Sequence, residues 1–115
     1  MEVTYRKELE ECGIDVEHGI KSHMGNEAMF VKFLKLVVMD DKFDDLYRSV
    51  RKNDAGVIFE ISHSLKGTVG TVGLCEIDTL ISGICEITRK GSMEGVVEKV
   101  NKVKEMHEEI KQHIA

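Results

Sequence analysis

Apolar residues recur along most of this chain at steps of three and four, the spacing that lines one face of an α-helix. Met29, Phe30, Phe33, Leu34, Val37 and Val38 follow that spacing behind Asn26, a candidate N-cap, and predict a strongly apolar, buried helix. Asp40-Asp41-Lys42 breaks the pattern, and Phe43, Leu46, Tyr47 and Val50 begin a shorter amphipathic run that stops near Asn53. Asp54 caps the next segment, which reads as helix from about Ala55 to Gly73. Ile77, Leu80, Ile81, Ile84 and Ile87 mark another helix, closed by the cations of Arg89-Lys90 and by Gly91 just beyond. Ser92 opens the last helix, in which Val96, Val100, Val103, Met106 and Ile110 form one stripe.

Upstream, Gly13-Ile14-Asp15 predicts a turn into a short helix that carries Val16 and Ile20 and ends near Met24-Gly25, with Asp15 as its N-cap. Residues 1–12 are polar with scattered apolar positions, so a short helix and a flexible arm both fit them. Four long amphipathic helices with short connections must bury their stripes against one another. The expected fold is therefore all-α, an antiparallel up-down four-helix bundle with one or two short additional N-terminal or connecting helices. A single domain is expected over 1–115, with no internal repeat and no low-complexity segment.

Composition narrows the function. The absence of proline favours helices joined by glycine-containing turns. A formal net charge of -5, with no Lys/Arg-rich stripe interleaved with aromatics, offers a nucleic-acid backbone no attraction. Cys12, Cys75 and Cys85 cannot all pair within the chain and lack metal-finger spacing, so they read as reduced cytosolic thiols and point to a cytoplasmic protein. No apolar run approaches a membrane span, and the charged segment Met1 to Glu11 is unlike an export signal.

The chemistry concentrates on the segment 55–73. On a helical wheel of about 100° per residue, Ile58, Ile61, Leu65, Thr68, Val69 and Val72 fall opposite His63 and form the core stripe. His63 therefore points away from the core, on a face shared with Gly56, Phe59, Glu60, Lys66, Gly67 and Gly70. Glycines inside a helix cost about 1 kcal/mol each relative to alanine, so their presence there needs a compensating gain. That gain is access: with no side chains one and two turns beyond His63, another protein's backbone can come close to the imidazole, as in-line phosphoryl transfer between two macromolecules requires. Lys66, at i+3, can bring an ammonium to the phosphoryl oxygens. Phe59, one turn before the histidine, offers an apolar docking anchor, and Glu60 or a neighbouring hydroxyl is a candidate to hold the second ring nitrogen. An imidazole titrates near neutrality and so keeps a neutral, nucleophilic nitrogen available.

His63-Ser64-Leu65-Lys66-Gly67, followed by Gly73, resembles the signature of histidine phosphotransfer (HPt) domains. The resemblance extends upstream through Gly13-Ile14-Asp15, Gly19-Ile20 and Gly25-Asn26-Glu27. It implies an antiparallel four-helix bundle and a phosphocarrier role in a two-component phosphorelay. His63 would be phosphorylated on Nε2, receiving from and passing to receiver-domain aspartates. It also implies that Lys66 stabilises the phosphoryl group, that Gly67 gives the partner clearance, and that Gly73 allows close packing at the helix end; Phe59, Glu60 and Gly70 join Gly67 on the docking face by their place on the wheel. Ser62 departs from the pattern, since many members have alanine before the histidine. The expected partners are response-regulator receiver domains and a sensor histidine kinase. The receiver brings the Mg2+, so the module needs no cofactor of its own, and a monomer leaves the docking face free.

No ATP-binding kinase segment is present, and a glycine-rich phosphate loop of P-loop form is absent, so the phosphoryl group must come from a partner. Two other functions compete. One is a binding-only helical adaptor that docks receiver domains without phosphotransfer, against which an intact His63 and Lys66 argue. The other is a metal-responsive bundle using the cysteines with His18, His23, His107 and His113, none of which falls in a recognised ligand spacing. No metal site is expected, and Asp40, Asp41, Asp44 and Asp45 lack the glycine and terminal glutamate of a calcium loop.

Overall fold

The computed structural model describes residues 1–114, so of the expected single unit only Ala115 lies outside the described residues. Among the described residues the chain forms seven helices and no strand: α1 (Val3–Glu11), α2 (Val16–Ser22), α3 (Glu27–Val38), α4 (Lys42–Arg51), α5 (Ala55–Val69), α6 (Cys75–Arg89) and α7 (Val96–Ile114). All three predicted side-chain caps form. Asp15 accepts from the amide of His18 at 3.0 Å, Asn26 from Met29 at 2.9 Å and Asp54 from Val57 at 3.2 Å. Each satisfies an amide that the first helical turn leaves without a partner.

The bundle closes as a ring in which α4 packs on α5, α5 on α6, α6 on α7 and α7 back on α4, with α5 against α6 the most extensive pair. Its centre is filled by Phe43 and Leu46 from α4, Ile58 and Leu65 from α5, Ile77, Ile81 and Ile84 from α6, and Val100 and Val103 from α7. The expected all-helical bundle is thus present, but the short α4 rather than the longer α3 supplies its fourth wall. The break at Asp40–Lys42 causes this, because it redirects the chain so that Phe43, Leu46 and Ser49 face inward. The α3 helix instead packs on α2 and α7, and α1 also packs on α2 and α7, so three helices stand outside the ring where one or two were expected.

Two further expectations need correction. The 26–38 segment is not buried all round: Phe30, Leu34 and Val38 are in the core, whereas Met29, Phe33 and Leu36 are exposed. The last helix begins at Val96 rather than at Ser92, because Gly95 adopts a left-handed φ of 76° and the Ser92 hydroxyl is turned to the amide of Glu94 at 3.0 Å. The ambiguity over residues 1–12 resolves as helix α1, fixed to the core by the fully buried Leu9.

The N-terminal helices are fastened to the end of α5 by backbone. Ile14 and Leu74 form an isolated antiparallel bridge, and the Asp15 amide donates to the Gly73 carbonyl at 2.8 Å. Gly73 has a φ of 77°, and a Cβ there would run into the backbone of Asp15. Only glycine meets both conditions without strain.

Candidate functional site

Helix α5 ends at Val69, one turn before the predicted end, and the chain passes through turns at Gly70–Gly73 into α6. Along α5, Ile58, Ser62, Leu65 and Val69 are buried. The predicted stripe is therefore displaced by part of a turn, since Thr68 is exposed and Ser62 takes a core position. His63 lies on the exposed side, as do Glu60, Lys66 and Gly67.

The five histidines differ in environment, and one of them, His113 near the end of α7, is simply exposed. His107 on α7 is buried, stacks on Phe43 with centroids 3.9 Å apart, and has both ring nitrogens engaged. Its Nε2 stands 2.6 Å from the Val38 carbonyl, which can only accept, so Nε2 carries the proton and Nδ1 accepts from the Tyr47 hydroxyl at 2.8 Å. Burial lowers the His107 pKa and pushes that of the Tyr47 phenol up, so both stay neutral. This is a structural histidine with no nitrogen to spare for chemistry. His23 is held to the Gly19 carbonyl at 2.7 Å and stacks on Phe33, and His18 lies 3.4 Å from the Ser22 hydroxyl. Among the described residues, no group of three or more His, Cys, Asp or Glu side chains is arranged to hold a metal ion.

His63 differs from His107, His23 and His18. Among the described residues no side chain or backbone group hydrogen-bonds its ring, Glu60 included, so both nitrogens are open to a partner. Its neighbour is Phe59, whose ring lies nearly parallel at a centroid distance of 5.6 Å and an interplanar angle of 17°. Lys66 forms no ion pair among the described residues, leaving its ammonium uncommitted. A Cβ on Gly67 would meet nothing within 4 Å, so the surface there is open. Gly70 is half-buried, and a Cβ there would stand 3.2 Å from Oδ2 of Asp78 on α6. That glycine clears room for α6 as well as for anything outside.

The neighbours that α6 brings were not legible from α5 alone. Gly70 faces Asp78 and Phe59 faces Arg89, so the two helices run antiparallel with Cys85 beneath the level of His63. The guanidinium carbon of Arg89 is 5.8 Å from the centre of the Phe59 ring, and Nη1 is 3.3 Å from Oε1 of Glu86. Burial pushes the Cys85 thiol pKa up, while Lys66 and Arg89 pull it down from two sides. The charges of Lys66 and Arg89 therefore both reach the buried Cys85 thiol, with the Glu86 carboxylate acting against them. Arg89 reads in sequence only as a cation at a helix C-terminus, and nothing local signals that it reaches Phe59.

A family model for the Hpt domain matches residues 36–113. The chain belongs to that family. An Hpt domain is a histidine phosphotransfer module of phosphorelays, and such domains work with receiver domains and kinases in two-component systems. The match to the Hpt domain begins in the last turn of α3 and takes in all four walls of the bundle, whereas the upstream motifs at Gly13–Asp15, Gly19-Ile20 and Gly25–Glu27 lie outside it. No curated protein and no solved structure matches the chain significantly. No helix among the described residues is long and apolar enough to cross a membrane.

Proposed function

We propose that this Hpt domain carries its phosphoryl group on His63, taking it from the aspartate of a receiver domain or from a sensor kinase and passing it to another receiver. The observation that carries this reading is the exposure of His63, with an imidazole unbonded among the described residues, one turn before Lys66, which forms no ion pair among them. His107, on the opposite wall of the bundle, is buried and engaged at both nitrogens, and the exposed His113 near the end of α7 lacks the Lys66–Gly67 surface that follows His63.

In the transfer, the lone pair of Nε2 forms the P–N bond as the P–O bond to the receiver aspartate breaks, and the carboxylate leaves with that electron pair. The proton on Nδ1 is free to pass to solvent. Lys66 offsets charge on the phosphoryl oxygens, and Gly67 leaves room for the partner's backbone, with Glu60, Phe59 and Gly70 around it. The Mg2+ that such chemistry requires belongs to the receiver, and the module works as a cytoplasmic monomer without a cofactor of its own. The reverse reaction uses the same groups, so the direction of flow is set by the partners.

The test is incubation of the protein with a phosphorylated receiver and Mg2+, followed by assay for acid-labile, alkali-stable phosphate. Label on the wild type and none on His63→Gln is the expected result. No label from several receivers, with the helical fold intact, would leave a binding-only adaptor.

A further inference from the structure

An exposed imidazole with no hydrogen bond to either nitrogen is free to rotate about two side-chain torsions, and free rotation is unfavourable for in-line attack on phosphorus. One contact limits that freedom: the nearly parallel Phe59 ring at 5.6 Å. Phe59 is itself half-buried, lies under the Arg89 guanidinium at 5.8 Å, and Arg89 is tethered to Glu86 at 3.3 Å. A chain of contacts thus runs from Glu86 and Arg89 on α6 through Phe59 to His63 on α5.

We propose that Phe59 is a positioning residue that fixes the plane of the His63 imidazole by stacking, and that Arg89 steadies Phe59 in that position. This rests on His63 being the phosphoacceptor. Stacking suits the task because it restrains the ring through its face and leaves both nitrogens at the edge open. A carboxylate or carbonyl partner would fix the ring equally well but would occupy a nitrogen. The arrangement also changes the meaning of the exposed aromatic. A ring already engaged on one side by its own histidine and by a cation from the next helix is more than an anchor awaiting a partner.

The two roles separate by choice of phosphoryl donor. Phosphoramidate is too small to need a docking face, whereas a phosphorylated receiver needs one. Wild type, Phe59→Leu, Phe59→Tyr and Arg89→Met would be compared with both donors, and the His63 ring protons would be followed by NMR. If Phe59 positions the ring, Phe59→Leu slows labelling of His63 by about threefold to tenfold with both donors, the range expected for losing an aromatic pair. Phe59→Tyr restores the rate, and Arg89→Met gives a smaller loss of the same sign. The ring-current shift of the His63 protons disappears in Phe59→Leu and survives in Phe59→Tyr. Slowing with the receiver alone would overturn the positioning role in favour of docking, and unchanged rates with both donors would overturn it outright, as would a His63 shift indifferent to residue 59. Absence of label on wild-type His63 with either donor would instead count against the phosphoacceptor assignment, and the NMR shift would still report whether the stack exists.

Discussion

The hydroxyl of Tyr47 stands 2.8 Å from Nδ1 of His107, joining α4 to α7 inside the core, and the other ring nitrogen donates to the Val38 carbonyl at the end of α3. One imidazole therefore ties three helices together, and it does so best while neutral, since protonation of Nδ1 would place a charge in the core and force the Tyr47 hydroxyl to turn and accept instead.

Stability should consequently depend on pH in a definite direction. Burial holds the folded-state pKa of His107 below its ordinary value, so in that window the unfolded chain binds a proton that the folded one does not. The contribution is complete above the ordinary histidine range and is lost as pH falls through the folded-state value. The urea midpoint is expected to hold from pH 8 to 7 and to drop between pH 6.5 and 5. His107→Leu should flatten that drop, and Tyr47→Phe should cost about 1–2 kcal/mol at pH 7.5 by leaving a buried acceptor unpaired. A wild-type midpoint that is level down to pH 5 would contradict the arrangement.

Gly67 is expected to separate stability from transfer. A methyl there touches nothing within the chain, so Gly67→Ala should stabilise the fold by about 0.5–1 kcal/mol through helix propensity. The same methyl intrudes where a receiver must approach, so transfer from a phosphorylated receiver should slow by about tenfold or more. Denaturant melts and transfer kinetics on one preparation check both signs. A variant that is more stable and equally fast would remove the access argument for this glycine.

Gly73 should behave in the opposite way. Its positive φ and the Asp15 backbone facing it leave no room for a side chain, so Gly73→Ala should lose about 2–3 kcal/mol or more. Hydrogen exchange should locate the damage at residues 14–16 and 73–75. Tolerance of alanine with unchanged stability would mean that this junction is looser than its hydrogen bond at 2.8 Å indicates.

Ser62 carries a fully buried hydroxyl with no hydrogen-bond partner among the described residues. Removing it should help, and Ser62→Ala is expected to gain about 1 kcal/mol with phosphotransfer unchanged. Destabilisation by alanine would reveal a partner for that hydroxyl.

What the sequence disclosed, and what it withheld, follows from the range of the forces involved. Caps at Asp15, Asn26 and Asp54 are contacts over three residues, and all were legible. The exposed face of His63, Lys66 and Gly67 follows from helical periodicity alone and was legible too. Periodicity has an angular uncertainty of about one side chain, however, and Ser62 and Thr68 exchanged places across it. The end of α5 was misplaced because Val72 is fully buried and looks like a continuation of the stripe, although it sits in a turn. Most of what was missed is tertiary: Arg89 over Phe59, Asp78 under Gly70 and Tyr47 on His107 each join different helices, and no local pattern gives the register between them.

The clasp between Gly73 and Asp15 also means that the inherited signature and the cooperative unit have different edges. The family match starts at residue 36, yet Leu9, Ile14, Val16, Phe30 and Leu34, all upstream of it, are part of the shared core. A gene fragment trimmed to the matched stretch would retain the histidine and every residue around it. It would also uncover the apolar core surface on which those five side chains pack, and leave the Gly73 carbonyl without the amide it receives.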